Sequence, residues 1–173
     1  MAAWETLGSL ANGDTLGMRS SNWLKALQQI DILICTPSIL AKHDPQDCPN
    51  LKVVATAGEP SSQRLADICV AHVTCINCYG PTETTVVNIM YGHKPGQPLS
   101  IERPTPWNKR YTLGESLVPV TVGEIGVTLA GSSEVRSIQS RTKTYDTGDL
   151  CQWNPSGTIT FLGPVDNQVK VKV

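Results

Sequence analysis

Hydrophobic positions follow two different patterns along the chain, and the change falls near residue 93. In the first half, apolar runs at residues 31–35, 51–56 and 73–78 predict buried strands. Between and before them lie helical patterns. The predicted helices are residues 22–29 with Ser20-Ser21 as cap and Trp23, Leu24 and Leu27 on one face, a short helix opened by Thr36-Pro37, and residues 61–72 with Leu65, Ile68 and Cys69 turned inward. Strands that alternate with helices predict an α/β fold with a mainly parallel sheet.

The second half predicts a β-rich subdomain. Residues 94–107 contain four prolines and predict an irregular connection. Candidate strands follow at residues 110–113, 117–122, 125–130 and 158–162, and the turn Asn-Pro-Ser-Gly at 154–157 predicts a hairpin. We therefore expect three parts, 1–92, 93–163 and 164–173. The apolar alternation at 169–173 reaches the last residue without a stop signal, which predicts an element that continues in a longer chain.

Composition excludes several classes of partner. The 14 basic and 15 acidic side chains give a net charge of −1, so no electrostatic argument favours nucleic acid or an anionic membrane surface. No apolar stretch approaches the roughly 18 residues of a membrane span. The N-terminus lacks the basic and apolar regions of a secretory signal. A cytoplasmic location is therefore the default expectation.

Six cysteines raise the question of metal or redox chemistry. Cys75 and Cys78 form a C-x-x-C pair. They fall in a predicted strand, where positions three apart point to opposite faces, so the two thiols are not expected to share a metal. No second Cys or His pair has zinc-like spacing. We expect buried structural thiols.

Polar groups gather where the third strand ends, in the segment Asn-Cys-Tyr-Gly-Pro-Thr-Glu at 77–83. An amide and a phenol there suit a planar heterocycle, and Gly80-Pro81 predicts a sharp loop. The threonines that follow offer hydroxyls for phosphate, and Glu83 offers oxygen for Mg²⁺. A polar strand-to-helix turn with capping threonines explains the same residues. Local chemistry leaves both interpretations open.

Four motifs in order resemble the adenylation domains of nonribosomal peptide synthetases, which are adenylate-forming (AMP-binding) enzymes. The Asn-x-Tyr-Gly-Pro-Thr-Glu segment is one. The others are the strand and Gly-Glu turn at 51–60, Tyr-Asp-Thr-Gly-Asp-Leu at 145–150, and residues 161–171, which are similar to Leu-Gly-Arg-x-Asp-x-Gln-Val-Lys. The resemblance runs from Trp4 onward and implies a fragment of the large N-terminal part of such a domain.

The resemblance implies a nucleotide site for ATP or AMP. Its residues would be Gly58 and Glu59 at the adenine wall, Asn77 bonded to adenine, Tyr79 packed on its ring, Thr82 at the phosphate and Asp149 at the ribose hydroxyls. Thr82 and Glu83 would be catalytic, with Glu83 holding Mg²⁺. Asp166 would be the hinge of a C-terminal lid.

The resemblance also implies a substrate pocket. Its walls would be Ile34, Ala55, Ala57, Cys78, Val86 and Val87, and their small or apolar character favours an amino acid, or other small carboxylate, with a neutral side chain. Ordinary core positions are the alternative. The carboxylate would attack the α-phosphate of ATP to give an acyl-adenylate and pyrophosphate. In the full family a phosphopantetheine thiol on a carrier protein then accepts the acyl group.

The sequence departs from the family pattern in several places. The phosphate loop with its lysine, the aspartate for the amino group and the lid lysine are not found. Pro164 replaces the arginine of Leu-Gly-Arg, and residues 132–143 do not match. We therefore expect a partial adenylation domain that has no appreciable activity alone. Amino-acid-dependent exchange of labelled pyrophosphate into ATP should then be low. A non-catalytic remnant that keeps a nucleotide cleft and a fragment of an acyl-CoA ligase are the alternatives, and Glu59-Pro60 argues against the latter.

Overall fold

The computed structural model describes residues 2–18, 21–81, 84, 87–101, 103–106, 108–114, 116–132 and 144–165. They divide into two units. The first unit is Met1–Gly80 with Met90–Leu99, and the second is Pro81–Ile89 with Ser100–Val173. The predicted domain bounds at 92/93 and 163/164 stay a prediction.

The first unit alternates helices and strands, as the sequence predicts. Its elements are α1 Ala2–Ala11, α2 Trp23–Leu27, β1 Ile32–Cys35, α3 Pro37–Leu40, a 3-10 helix Pro45–Asp47, β2 Val53–Thr56, α4 Gln63–Val70, β3 Thr74–Tyr79, and the last three residues of β4 Ile89–Gly92. The strands lie in the order β1-β2-β3-β4. β1, β2 and β3 are parallel, which confirms the predicted mainly parallel sheet.

Helix ends in this unit follow local capping chemistry. Thr36 precedes α3 with Pro37 at its first position, as predicted, and the Ser62 hydroxyl accepts a bond from the Leu65 N–H at α4. The cap of α2 differs from the prediction. Asn22 accepts the bond from the Lys25 N–H at 3.0 Å, whereas Ser20 lies outside the described residues. Asn is as good an N-cap as Ser, and Asn22 directly precedes Trp23, the first residue of the helix.

The core of the first unit lies on one face of its sheet. Leu33, Val54 and Cys75 occupy one register row, since Leu33 pairs with Val54 and Val54 with Cys75. Helices α2, α3 and α4 contribute Leu27, Leu40 and Cys69 to the same cluster. Burial of each large apolar side chain stabilises the fold by about 1.5–3 kcal/mol.

One predicted core position of α4 is wrong. Ile68 is 41% exposed, whereas Ala66 is 2% exposed and takes the inward position instead. The helix is shorter than predicted, and its buried stripe runs through Ala66 and Cys69, three positions apart. Leu65 is half-buried and packs against the core.

A polar network ties α4 to residues 93–99 within the first unit. Asp67 Oδ1 lies 2.8 Å from His93 Nε2 and accepts a 2.9 Å bond from the Gln63 amide. The Gln63 Oε1 accepts from the Leu99 N–H at 2.6 Å. The hydrogen bond from the buried His93 holds the pKa of the Asp67 carboxyl below its usual range.

The second unit is β-rich, as predicted. It contains β5 Arg103–Pro104, β6 Asn108–Leu113, β7 Ile125–Ser132, β8 Thr144–Trp153 and β9 Ile159–Pro164. The last four form an antiparallel sheet in the order β6-β7-β8-β9. The predicted hairpin is confirmed, because Asn154 donates to Thr158 O at 2.8 Å and β8 pairs with β9.

One strand prediction in this unit is wrong, and one long strand was not predicted. Residues 117–122 are apolar but make only one bridge, Leu113 with Pro119. Leu117 has φ 58°, and proline offers no N–H to a ladder, so the segment turns instead of extending. β8 was not predicted, since its acidic residues and Gly148 hide the strand pattern.

All six cysteines are buried free thiols, which confirms the predicted burial. Cys35, Cys69 and Cys75 belong to the main core cluster. Burial raises the pKa of Cys35 to about 12. No helix among the described residues has the length and apolarity needed to cross a membrane.

Candidate functional site

Strand register places four predicted pocket residues on one face of the first unit's sheet. Ile34 pairs with Ala55, and Ala55 pairs with Ile76. Cys78 lies two positions beyond Ile76 on the same face, and Ala57 continues the alternation of β2. We call Ile34, Ala55, Ala57 and Cys78 the pocket face. It lies opposite the row of Leu33, Val54 and Cys75 that belongs to the main core.

Burial on the pocket face is high although its side chains are small. Ala55, Ala57 and Cys78 are 5%, 7% and 5% exposed, and Ile34 is half-buried. Burial raises the pKa of the Cys78 thiol to about 12, with a further contribution from Cys75, so Cys78 is a neutral wall group near pH 7. Two alanines and a thiol give this face a small, uncharged surface.

Asn77 and Tyr79 lie on the other side of β3, at its carboxyl end. Asn77 pairs in register with Thr56, the last residue of β2, and Tyr79 is the last residue of β3. Both side chains are half-buried. The residues predicted for adenine and those predicted for the substrate therefore leave β3 on opposite faces. Both sets reach the edge where parallel strands present ligand sites.

The Gly58-Glu59 turn lies at the same edge, directly after β2. Gly58 has φ 83°, a left-handed conformation that glycine adopts without strain. The Ala57 N–H donates to Cys35 O at 3.1 Å, so the turn starts alongside the end of β1. This turn places backbone groups beside the ends of β1 and β3.

The Glu59 side chain has a partner that the sequence did not indicate. Its Oε2 accepts a bond from the Ser38 N–H at 3.2 Å and a second bond from the Ser38 hydroxyl. Ser38 lies in the first turn of α3, 21 positions earlier in the chain. The only local signal was Thr-Pro-Ser after a strand, which predicts a helix start but no distant partner.

Asp149 lies in the second unit, inside strand β8. Its N–H donates to Thr147 Oγ1 at 3.3 Å, and Thr147 Oγ1 donates to Thr128 O at 2.9 Å. The Gly148 N–H donates to Asp146 Oδ1 at 2.9 Å. The ladder register shifts just after Asp149, between Leu150 and Cys151. The motif is therefore part of an irregular strand.

Pro164 stands directly opposite Asp149 in the β8–β9 ladder. The family pattern has arginine at this position, so this departure from the pattern lies opposite the residue predicted to bind ribose. Within the described residues β9 is the last strand of its sheet, where proline is tolerated because no further neighbour needs its N–H.

Several predicted residues are not among those described or belong to the second unit. Thr82, Glu83, Val86 and Asp166 lie outside the described residues. Val87 is half-buried and belongs to the second unit. In the described ranges no group of three or more His, Cys, Asp or Glu side chains is arranged to hold a metal ion.

A buried cation in the second unit was not predicted. Arg110 of β6 is 8% exposed and donates to Asn88 Oδ1 at 3.4 Å. Burial lowers the pKa of its guanidinium to about 10, and the group still carries its charge at neutral pH. The alternation of residues along the strand did not predict the burial of Arg110, because an arginine in a strand is expected on the solvent face.

A cleft of about 240 Å³ lies elsewhere in the first unit, beside the end of α3 and one side of α4. Leu40, His43, Leu65 and Ile68 are among its lining residues. None of the predicted site residues lines it, so it is a separate surface feature.

Solved structures define the class to which this architecture belongs. A nonribosomal peptide synthetase protein containing adenylation and PCP domains matches with a TM-score of 0.84 at 20% identity, over 98% of this chain and 42% of that chain. The N-terminal subdomain of NpsA from Klebsiella oxytoca matches with a TM-score of 0.70 at 17% identity, over 84% of this chain and 45% of that chain. The fold is that of part of an adenylation domain.

Sequence comparison identifies the family. The sequence profile described as AMP-binding enzyme matches residues 1–135, and the chain belongs to that family. Adenylate-forming reductase 03009 of Coprinopsis cinerea is 42% identical over 99% of this chain, and tyrocidine synthase 2 of Brevibacillus parabrevis is 32% identical over 99%. The chain spans 19% and 6% of the lengths of these two relatives.

Proposed function

We propose that this chain supplies the adenine edge and part of the carboxylate pocket of an ATP-dependent adenylation site. The observation that carries the proposal is the arrangement at the end of β3. Asn77 and Tyr79 leave this strand on one face, and Cys78 leaves it on the face shared with Ala55. One strand end can then hold a nucleotide and a carboxylate substrate side by side.

The proposed reaction joins the two ligands. A carboxylate oxygen attacks the α-phosphorus of ATP, the bond between the α-phosphorus and the bridging oxygen breaks, and pyrophosphate leaves with that electron pair. The residues of this chain contribute by positioning, since holding two reactants in line removes much of the entropic cost of their encounter. Asn77 would bond the adenine edge and Tyr79 would pack on its ring.

The pocket face supports a substrate with a small or apolar side chain. A charged side chain against Ala55, Ala57 and Cys78 would lose its water without gaining a partner. An amino acid of this kind is the proposed substrate class. Ribose binding by Asp149, phosphate contact by Thr82, Mg²⁺ binding by Glu83 and a hinge at Asp166 stay predictions from the family pattern. A phosphopantetheine carrier is the proposed acceptor, supported by the PCP domain of the first structural neighbour.

Calorimetry with AMP tests the nucleotide part of the proposal. We expect the chain to bind AMP and Asn77→Ala to raise the Kd about two- to tenfold, since one neutral hydrogen bond is lost. Asn12→Ala is the matched control. Asn12 is exposed next to the end of α1, and its amide bonds only Gly8 O at 2.7 Å among the contacts described, so its loss should leave the Kd unchanged. No detectable binding at millimolar AMP would refute the nucleotide site.

A second candidate concerns the whole protein. The 42% identity to an adenylate-forming reductase, against 32% to tyrocidine synthase 2, supports a reductase as the larger protein that contains this segment. The acyl-adenylate would then lead to a reduced product. Coding sequence beyond residue 173 decides the matter. A strand followed by a Gly-rich dinucleotide-binding turn supports the reductase, and its absence from a complete downstream frame counts against it.

A further inference from the structure

We infer that the contact between Ser38 and Glu59 holds the Gly58 turn in the conformation that receives the adenine, which makes Ser38 a positioning residue. This inference rests on the proposed nucleotide site. No motif of the sequence singles out Ser38. The resemblance implies that Glu59 is part of the adenine-binding surface, whereas in this inference Glu59 fixes the position of that surface.

The contact joins two loops that follow neighbouring strands. α3 begins directly after β1, and the Gly58-Glu59 turn directly follows β2. Glu59 Oε2 accepts from both the N–H and the hydroxyl of Ser38, and the N–H bond is 3.2 Å long. Bonds to an ionised carboxylate are stronger than neutral ones, and both of these bonds join the two loops.

The start of α3 is bonded to the Glu59 carboxylate. Thr36 occupies the N-cap position, but its side chain makes no capping hydrogen bond. The first N–H groups of a helix have no partner within the helix. Glu59 Oε2, from the next loop, accepts the N–H of Ser38, which is one of these groups.

The consequence concerns the backbone of the turn. The N-terminal end of the turn is held by the bond from the Ala57 N–H to Cys35 O at 3.1 Å. The C-terminal end is held by the bonds between Glu59 and Ser38. Gly58 lies between these two ties with φ 83°. With both ties in place, the backbone of residues 57–59 has a defined position next to Asn77, which pairs with the last residue of β2.

Ser38→Ala is the principal test variant. It removes the hydroxyl and leaves the N–H, and alanine is the best helix former, so α3 itself is not weakened. We expect amide hydrogen exchange at residues 57–59 to become about tenfold faster and the Kd for AMP to rise about three- to tenfold. Ser38→Thr keeps a hydroxyl and should restore both values to near the wild type. Glu59→Gln keeps the shape and removes the charge, and we expect the same direction as Ser38→Ala.

Asp67→Asn separates positioning from general loss of stability. Asp67 bonds His93 in the same unit and takes no part in the turn. This variant should lower the unfolding temperature while AMP affinity and exchange at residues 57–59 stay unchanged. A parallel loss of AMP affinity in Asp67→Asn would reduce Ser38 to a stability effect and overturn the inference.

The two readouts distinguish failure of this inference from failure of the proposed function. Unchanged exchange at residues 57–59 in Ser38→Ala overturns the inference whether or not AMP binds. Faster exchange with an unchanged Kd, in a chain that binds AMP, also overturns it, since the turn is then not limiting for the nucleotide. If the wild type binds no AMP, the proposed function fails, and the nucleotide role of Ser38 fails with it.

Discussion

Replacing Gly58 by alanine tests whether the turn after β2 depends on its left-handed backbone. Gly58 has φ 83°, and a Cβ built there would meet only Thr36 Cγ2 at 3.9 Å, an ordinary contact. Steric collision with neighbours therefore adds nothing, and the cost is the backbone term alone. Holding an L-residue in this region costs about 1–2 kcal/mol. We expect Gly58→Ala to destabilise the chain by that amount.

Urea denaturation followed by circular dichroism measures the effect. With a slope of about 2 kcal/mol per molar urea, the midpoint should fall by about 0.5–1 M. Gly92→Ala is the matched control, because nothing lies within 4 Å of its built Cβ and its φ is not in the left-handed range. That variant should be neutral or slightly stabilising. Gly58→Asn should fall between Gly58→Ala and the wild type, since asparagine tolerates this conformation better.

Strain at Gly58 requires Gly58→Ala to be less stable than both the wild type and Gly92→Ala. A Gly58→Ala variant as stable as the wild type would refute it, and so would equal losses in Gly58→Ala and Gly92→Ala. Greater destabilisation by Asn than by Ala at position 58 would move the cause from backbone conformation to side-chain volume.

Two further predictions concern buried and paired polar groups. The Thr112 hydroxyl is buried and has no hydrogen-bond partner among the described residues, so Thr112→Val should stabilise the chain by about 0.5–1 kcal/mol in thermal denaturation. The control is Thr74→Val, on the exposed end of β3, which should change stability little. A clear loss of stability in Thr112→Val would contradict this account. The pKa of Asp67 is held below its ordinary value of 3.8 by the bond to His93, so its stabilising contribution is present above that pH and lost as the pH falls through the lowered folded-state value. Asp67→Asn should therefore flatten the acid side of a stability–pH curve, and an unchanged acid limb would count against the pair.

The predicted strands of the first unit were found because burial on both faces makes them continuous apolar runs. β1, β2 and β3 agree with predicted strands to within two residues at each end. Residues 117–122 carry the same apolar signal and still form a turn, because Pro119 lacks an N–H and Leu117 has a positive φ. β8 carries a weak apolar signal and still forms a strand, because β7 and β9 pair with it on both sides.

The candidate site divides in the same way. Asn77, Tyr79 and the Gly58-Glu59 turn were found from a local pattern, since each lies within a few residues of a strand end. The structure placed Asn77 and Cys78 on opposite sides of one strand, which follows from alternation once the strand is known. It also placed Glu59 against Ser38, a contact between two loops that no local pattern encodes.

The sequence by itself determined the family, the parallel strands and the motif residues, because these depend on residue type and short-range spacing. Only the tertiary structure decided which faces those residues share, which apolar segments become strands, and what holds the strand-end turn in place. These outcomes depend on register and on pairing between segments distant in the chain. Glu59 shows the difference, since its motif identifies the turn while the partner of its carboxylate, Ser38, lies 21 positions away and comes close only when β1 and β2 pair.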